Sequence, residues 1–300
     1  MSKPTFNRQR RGFVAGLVGL ALVAVSMGVS SCSERPNGQA TSQQSVHARV
    51  IKSGTIRASY ADYPPYAIKD AKNGQLSGIY VDTLNEIGKR LNLKVVWAEE
   101  VGWGAIFESL NSNRVDIFGA GIWRNSTRGK VGDFSLPVIY NVIKVFGRPD
   151  GRTVTDLSEI NRPDVKIATL DGAIEDVIAK SDFPSAQRVS IPQLNPWSDV
   201  LLNITSKKAD LTFAEPAAVN LYLEKNPGTL KPLLDGKSVR VFANAYAFKL
   251  GEPEFKAMID SAIQEMQNDG TIERIIRKYE KHPGEFLRVA PGYVEAPVER

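Results

Sequence analysis

Few residues in this chain of 300 are equipped for covalent or metal chemistry. There is one cysteine, Cys32, and there are two histidines, His47 and His282. A single Cys excludes an intramolecular disulfide framework and a Cys-based zinc ribbon. Two His leave little for a histidine-rich metal site or a Ser-His-Asp triad. Gly119-Ala120-Gly121-Ile122-Trp123-Arg124 begins like a dinucleotide fingerprint, but it lacks the third glycine and follows the wrong strand. The run Arg274, Arg277, Lys278 and Lys281 reads as a solvated helix face and not as a nucleic-acid site. No cofactor and no nucleic acid are therefore expected.

The formal charge of +5 comes mostly from one place. Lys3, Arg8, Arg10 and Arg11 lie in the first 31 residues, which contain no acid. An uncharged apolar run follows from Gly12 to Gly28, shorter than the roughly 20 residues of a membrane span. Then come Val29-Ser30-Ser31-Cys32. This is the layout of an export signal, with a basic region, an apolar region and small residues before cleavage. Its end resembles the lipobox of bacterial lipoproteins. That resemblance implies a signal peptide over 1–31, a lipid on Cys32 and anchoring by acyl chains. Arg10-Arg11-Gly12-Phe13-Val14 also resembles a twin-arginine motif; it is read here as a basic region with two adjacent arginines. Residues 32–49 are rich in Ser, Gln, Asn and Gly, and read as a flexible tether with a solvated His47.

From Thr55 onward strands and helices alternate. Strands are predicted at Thr55–Ser59, Lys94–Trp97 and Val115–Gly119, with helices at Val81–Leu91 and Ala105–Leu110. The long apolar run Val138–Phe146 ends in Gly147-Arg148-Pro149-Asp150-Gly151, and a second series begins. It has strands at Val165–Thr169 and Leu211–Ala214, and helices at Gly172–Ala179, Val200–Ser206 and Ala217–Lys225. Val239–Phe248 is extended, and helices Pro253–Asn268 and Thr271–Tyr279 close the fold. The βα order implies mainly parallel sheets flanked by helices. The domain reading is a first lobe over 50–144, a second over 145–240, a return to the first over 241–283, and an unstructured tail over 284–300. Two crossing strands would form a hinge, with the ligand cleft between the lobes.

The order of motifs completes the picture. Tyr60-Ala61-Asp62-Tyr63-Pro64-Pro65-Tyr66 is followed by Gly78-Ile79-Tyr80-Val81-Asp82, then Val115-Asp116-Ile117, Arg128 and Asp133-Phe134-Ser135-Leu136-Pro137. Lys208-Ala209-Asp210 and Asp269-Gly270-Thr271 come later. From about Gly54 to Tyr279 the chain resembles the family 3 extracellular solute-binding proteins, the amino-acid receptors of ATP-driven importers. The resemblance implies the type II periplasmic-binding-protein fold and a monomer that delivers an amino acid or related solute to an ABC permease and its ATPase.

It also implies roles. Arg128 would clamp an α-carboxylate, for which planar guanidinium donors suit. The turn Gly172-Ala173-Ile174 would offer backbone N–H groups to the same carboxylate. Glu215, where Asp is usual, would pair with the α-ammonium. Tyr63 and Trp103 would form pocket walls, and Gly121 would meet the ammonium through its backbone. Three positions depart from the pattern: Trp123 and Ile174 replace hydroxyl residues, and Tyr60 stands where receptors for cationic amino acids often carry an acid. Hydroxyls are lost and aromatic faces gained, and Arg124 adds charge beside Trp123. Two ligand readings stay open: an amino acid with an apolar or aromatic side chain, or an ammonium held partly by cation–π contacts. Trp197 is a further candidate for the cleft. Two other functions are weighed: a cyclohexadienyl-dehydratase-like enzyme using Glu215 or Glu175 as acid, and a ligand-sensing lipoprotein.

Overall fold

The computed structural model describes residues 44–289. Cys32, the export signal and the paired arginines lie outside the described residues. The elements are, in order, α1 (Val46–Ser53), β1 (Thr55–Tyr60), the hairpin β2 (Ile68–Lys69) and β3 (Leu76–Ser77), α2 (Ile79–Arg90), β4 (Lys94–Glu100), α3 (Ile106–Asn111) and β5 (Ile117–Trp123). Then come β6 (Asp133–Phe134), β7 (Ile139–Gly147), β8 (Lys166–Leu170), α4 (Ile174–Asp182), β9 (Gln187–Ile191), α5 (Ser198–Thr205), β10 (Leu211–Ala214) and α6 (Pro216–Lys225). The last are β11 (Lys231–Pro232), β12 (Arg240–Phe248), α7 (Pro253–Asn268) and α8 (Thr271–Tyr279).

The main strand order is β4-β1-β5-β12-β7-β10-β8-β9. At one end β1 runs parallel to β4 and β5, and at the other β8 runs parallel to β9 and β10. The two ends meet through β7 and β12, which pair antiparallel from Ile143↔Arg240 to Ile139↔Asn244. Beyond that stretch β12 runs beside β5, and β7 beside β10. Each long strand thus belongs to both halves of this α/β fold. β5 outruns its predicted end at Gly119 because β12 supplies partners up to Trp123. β9 has no apolar run to announce it: it is an edge strand with exposed Gln187, Arg188 and Ser190. In α7, Phe255, Ile259, Ala262, Ile263 and Met266 form the buried stripe that helical spacing requires.

Two expectations from composition are corrected. Composition places a tether up to residue 49, but α1 begins at Val46. Ser45 caps it by accepting from the Ala48 N–H at 3.2 Å. Val46 and Val50 are buried, and His47 is half-buried, not solvated. Arg49 reaches the buried Asp116 carboxylate, which also accepts from the Arg57 guanidinium at 2.8 Å and the Arg57 backbone N–H at 2.7 Å. An acid at the start of β5 therefore ties α1 to β1, an effect that local composition does not reveal.

The tail is the second correction. Its Pro-Gly content suggested no structure, yet Phe286 is only 2% exposed and stands edge-on to Tyr66 at 5.8 Å. Leu287 and Tyr140 exchange backbone hydrogen bonds at 2.8 and 3.1 Å, which adds the tail to the flank of β7. Asn220 of α6 donates to Glu285 at 2.6 Å, and Arg288 bonds Glu273 and Glu280. Phe286→Ala is expected to cost roughly 3–5 kcal/mol, as for a buried Phe, measured by chemical denaturation. An unchanged midpoint would show that the tail is a loose appendage.

Candidate functional site

Four segments that follow the carboxyl ends of parallel strands converge between the two halves of the sheet. Tyr63 follows β1, Trp123 ends β5, Ala173-Ile174-Glu175 follow β8, and Glu215 follows β10. This is where open α/β sheets bind ligands. The cleft is nearly closed, with a free cavity volume of about 20 Å³, about the room of a single water molecule.

One wall is aromatic. Tyr63 stacks on Tyr66 at 5.3 Å and meets the edges of Trp103 at 5.7 Å and Trp197 at 5.2 Å. Trp123 stacks on Phe242 at 5.6 Å, and its indole N–H is buried without a partner. Gly121 sits at φ +78° against the Tyr80 ring, where an added Cβ would come within 2.6 Å.

The opposite features are charged. Arg128 donates to the Trp123 carbonyl at 3.1 Å and to the Gly172 carbonyl at 3.3 Å, which aims the guanidinium across the cleft. Burial lowers its pKa to about 10, opposed by the nearby Glu175. Glu215 is fully buried. It accepts from the Tyr63 hydroxyl and, at 3.5 Å, from the Asn141 amide. Glu175, also buried, accepts from the Leu170 N–H at 3.1 Å. Burial pushes both carboxyls up to about 8, and their mutual repulsion adds to it for Glu215.

Of the residues named from the sequence, Tyr63, Trp103, Gly121, Trp123, Arg128, Ala173, Ile174, Glu215 and Trp197 line this cleft. Three expectations change. Tyr60 lies outside the lining: its ring packs edge-on to Trp97 and its hydroxyl donates to Glu100 at 3.3 Å. Arg124 is exposed and lies over the Phe134 ring. In the second-lobe turn the Gly172 N–H donates to Asp176 at 3.2 Å and the Ala173 N–H to the Leu170 carbonyl at 3.0 Å. Those two groups close the turn, and Gly172 contributes through its carbonyl to Arg128.

Asn141 and Asn244 were missed. Asn244 donates to Asn141 at 3.0 Å, and Asn141 donates to the Tyr66 hydroxyl and Glu215. The available signal was one buried amide within each of two apolar strands, β7 and β12. Among the described residues there is no cluster able to hold a metal ion, and no helix is long and apolar enough to cross a membrane.

A two-lobed α/β fold with a charged and aromatic cleft at its strand ends defines a solute-binding protein. Residues 56–282 match the bacterial extracellular solute-binding proteins, family 3, and the chain belongs to that family. It is 25% identical over 268 residues to the L-cystine-binding protein TcyA of Bacillus subtilis, covering 86% of this chain and 96% of that one. Among solved structures, the ancestral amino acid-binding protein AncCDT-1, a precursor of cyclohexadienyl dehydratase, superposes with a TM-score of 0.68 at 25% identity, covering 78% of this chain and 98% of that one. The cysteine-binding protein of Campylobacter jejuni superposes at 0.69 with 19% identity, covering 79% and 94%.

The raised carboxyls make stability depend on pH. Their folded pKa values exceed the unfolded one, so the folded protein holds more protons and its stability falls as pH rises from about 4.5 through about 8. The melting temperature of the solute-free protein is expected to fall from pH 5 to pH 8, and Glu215→Gln to flatten that slope. A wild-type melting temperature that rose over the interval would refute the assignment.

Proposed function

We propose that the chain is an extracytoplasmic receptor that closes its two lobes over an amino acid or related small polar solute and delivers it to an ABC permease with its ATPase. One observation carries this reading: Arg128 and Glu215, a buried cation and a buried acid, line one cleft with an aromatic wall between lobes joined by two strands. A zwitterion needs that pair of charges. The similarity to TcyA and AncCDT-1, both binding proteins by name, supports a receptor rather than an enzyme.

Closure would be a hinge motion about β7 and β12, biased by contacts that the solute makes to both lobes. Arg128 bonds the Gly172 carbonyl of the second-lobe turn, so a carboxylate held by Arg128 would favour the closed arrangement. Arg128→Ala is expected to weaken amino-acid binding by at least about tenfold, because truncating one member of a buried charge pair costs roughly 2–5 kcal/mol. Calorimetry on a panel of amino acids checks this, and unchanged affinity removes the carboxylate role.

The proposal places the protein outside the cytoplasmic membrane, as a monomer held by a lipid on Cys32. Its support is the sequence pattern at 12–32 and the apolar run that falls short of a span. Cys32→Ser should shift the protein from the membrane to the soluble fraction. Retention of the variant in the membrane fraction would make the apolar run itself the anchor.

A further inference from the structure

We propose that Glu175 is a specificity-determining residue: a second anionic contact that selects a solute carrying two cationic nitrogens and one carboxylate. The inference deepens the receptor reading above and rests on it.

Beside the neutral phenols of Tyr63 and Tyr66, three acidic or basic side chains line the cleft: Arg128, Glu175 and Glu215. None forms an ion pair with another group among the described residues. Glu215 is held by neutral donors, the Tyr63 hydroxyl and the Asn141 amide. Arg128 spends donors on two carbonyls. Glu175 accepts one backbone N–H, from Leu170, through Oε1. It lies within Coulombic reach of Arg128 and Glu215 without touching either within ion-pair distance. The neighbouring acid on α4, Asp176, is satisfied by Lys180 and Arg188 at 2.6 Å each, so those two cations are not available to Glu175.

With all three ionised the cleft carries one positive and two negative charges. A neutral zwitterion matches Arg128 and Glu215 and leaves Glu175 without a cation, so that carboxyl stays protonated. A solute with one carboxylate, an α-ammonium and a second protonated nitrogen matches all three. The Asn244 side-chain oxygen Oδ1 is a further buried acceptor without a partner on a residue that lines the cleft. Trp197 and Tyr63, in edge-to-face contact at 5.2 Å, also line the cleft. The acid here comes from the first turn of α4. β1 does not supply one, since Tyr60 turns its hydroxyl to Glu100 away from the cleft.

Burial pushes the Glu175 carboxyl up to about 8 and so favours its protonated form at neutral pH before the solute binds. A cation beside it expels that proton. Basic and neutral solutes therefore differ in the protons they release.

The test is calorimetry on the purified full chain at pH 7, in buffers of different ionisation enthalpy, with ornithine, lysine and arginine against leucine and phenylalanine. The basic amino acids are expected to bind at least tenfold more tightly and to release more protons. Glu175→Gln keeps an acceptor for the Leu170 N–H. It should lower affinity for the basic set at least tenfold, spare the neutral set and abolish the extra proton release. Tighter binding of the neutral set by wild type, or equal proton release by both sets, overturns the inference and leaves the receptor standing. Binding of neither set overturns the amino-acid reading and the inference together. The wild-type proton count decides the matter even if Glu175→Gln does not fold.

Discussion

Two acids and a guanidinium buried with no direct ion pair among the described residues are the constraint on which the rest of this structure depends. Such groups cost free energy in the empty protein, because the cleft removes water that would solvate them. The cost is limited by neutral hydrogen bonds: Tyr63 and Asn141 to Glu215, Leu170 to Glu175, and the Trp123 and Gly172 carbonyls to Arg128. Raised carboxyl pKa values and a lowered guanidinium pKa are the same cost seen as protonation. What a solute of complementary charge would recover on binding is this unfavourable electrostatic energy.

The scaffold explains why these groups can be held apart from water yet remain reachable. Among the described residues, β7 and β12 are the only strands in the main sheet that pair with strands of both halves. Each contributes one buried amide, Asn141 and Asn244, in the hydrogen-bond chain that ends on Glu215. The hinge and the acid are therefore one connected unit. A rotation that changes the pairing of β7 against β12 also changes the support of Glu215.

Much of this was legible in the sequence. Periodicity placed α7 and α8 correctly because their apolar residues fall on single stripes. The resemblance located Arg128 and Glu215, since those charges stand at fixed places in an ordered set of motifs. Other features were legible only in three dimensions. α1 is held by an ion pair to Asp116, 67 residues away in the chain. Tyr60 and Tyr63 are three positions apart with similar surroundings in sequence, yet only Tyr63 faces the cleft; Tyr60 was drawn off by Glu100 on the adjacent strand. Asn141 and Asn244 sit 103 residues apart and make sense only once β7 and β12 are paired.

The tail alters the mechanics of the hinge. Two adjacent strands define a line, and bodies joined along a line can twist about it with little resistance. Residues 282–288 add a third connection off that line. They leave α8, pack Phe286 behind Tyr66, run along Tyr140 of β7 and reach Asn220 on α6. Lys281 adds an ion pair to Glu224 on the same helix. With three attachments, any rotation that parts α8 from α6 must break the Asn220–Glu285 and Lys281–Glu224 bonds together. In the hinge closure proposed above, the outer side of the molecule would add its own resistance to opening through these contacts.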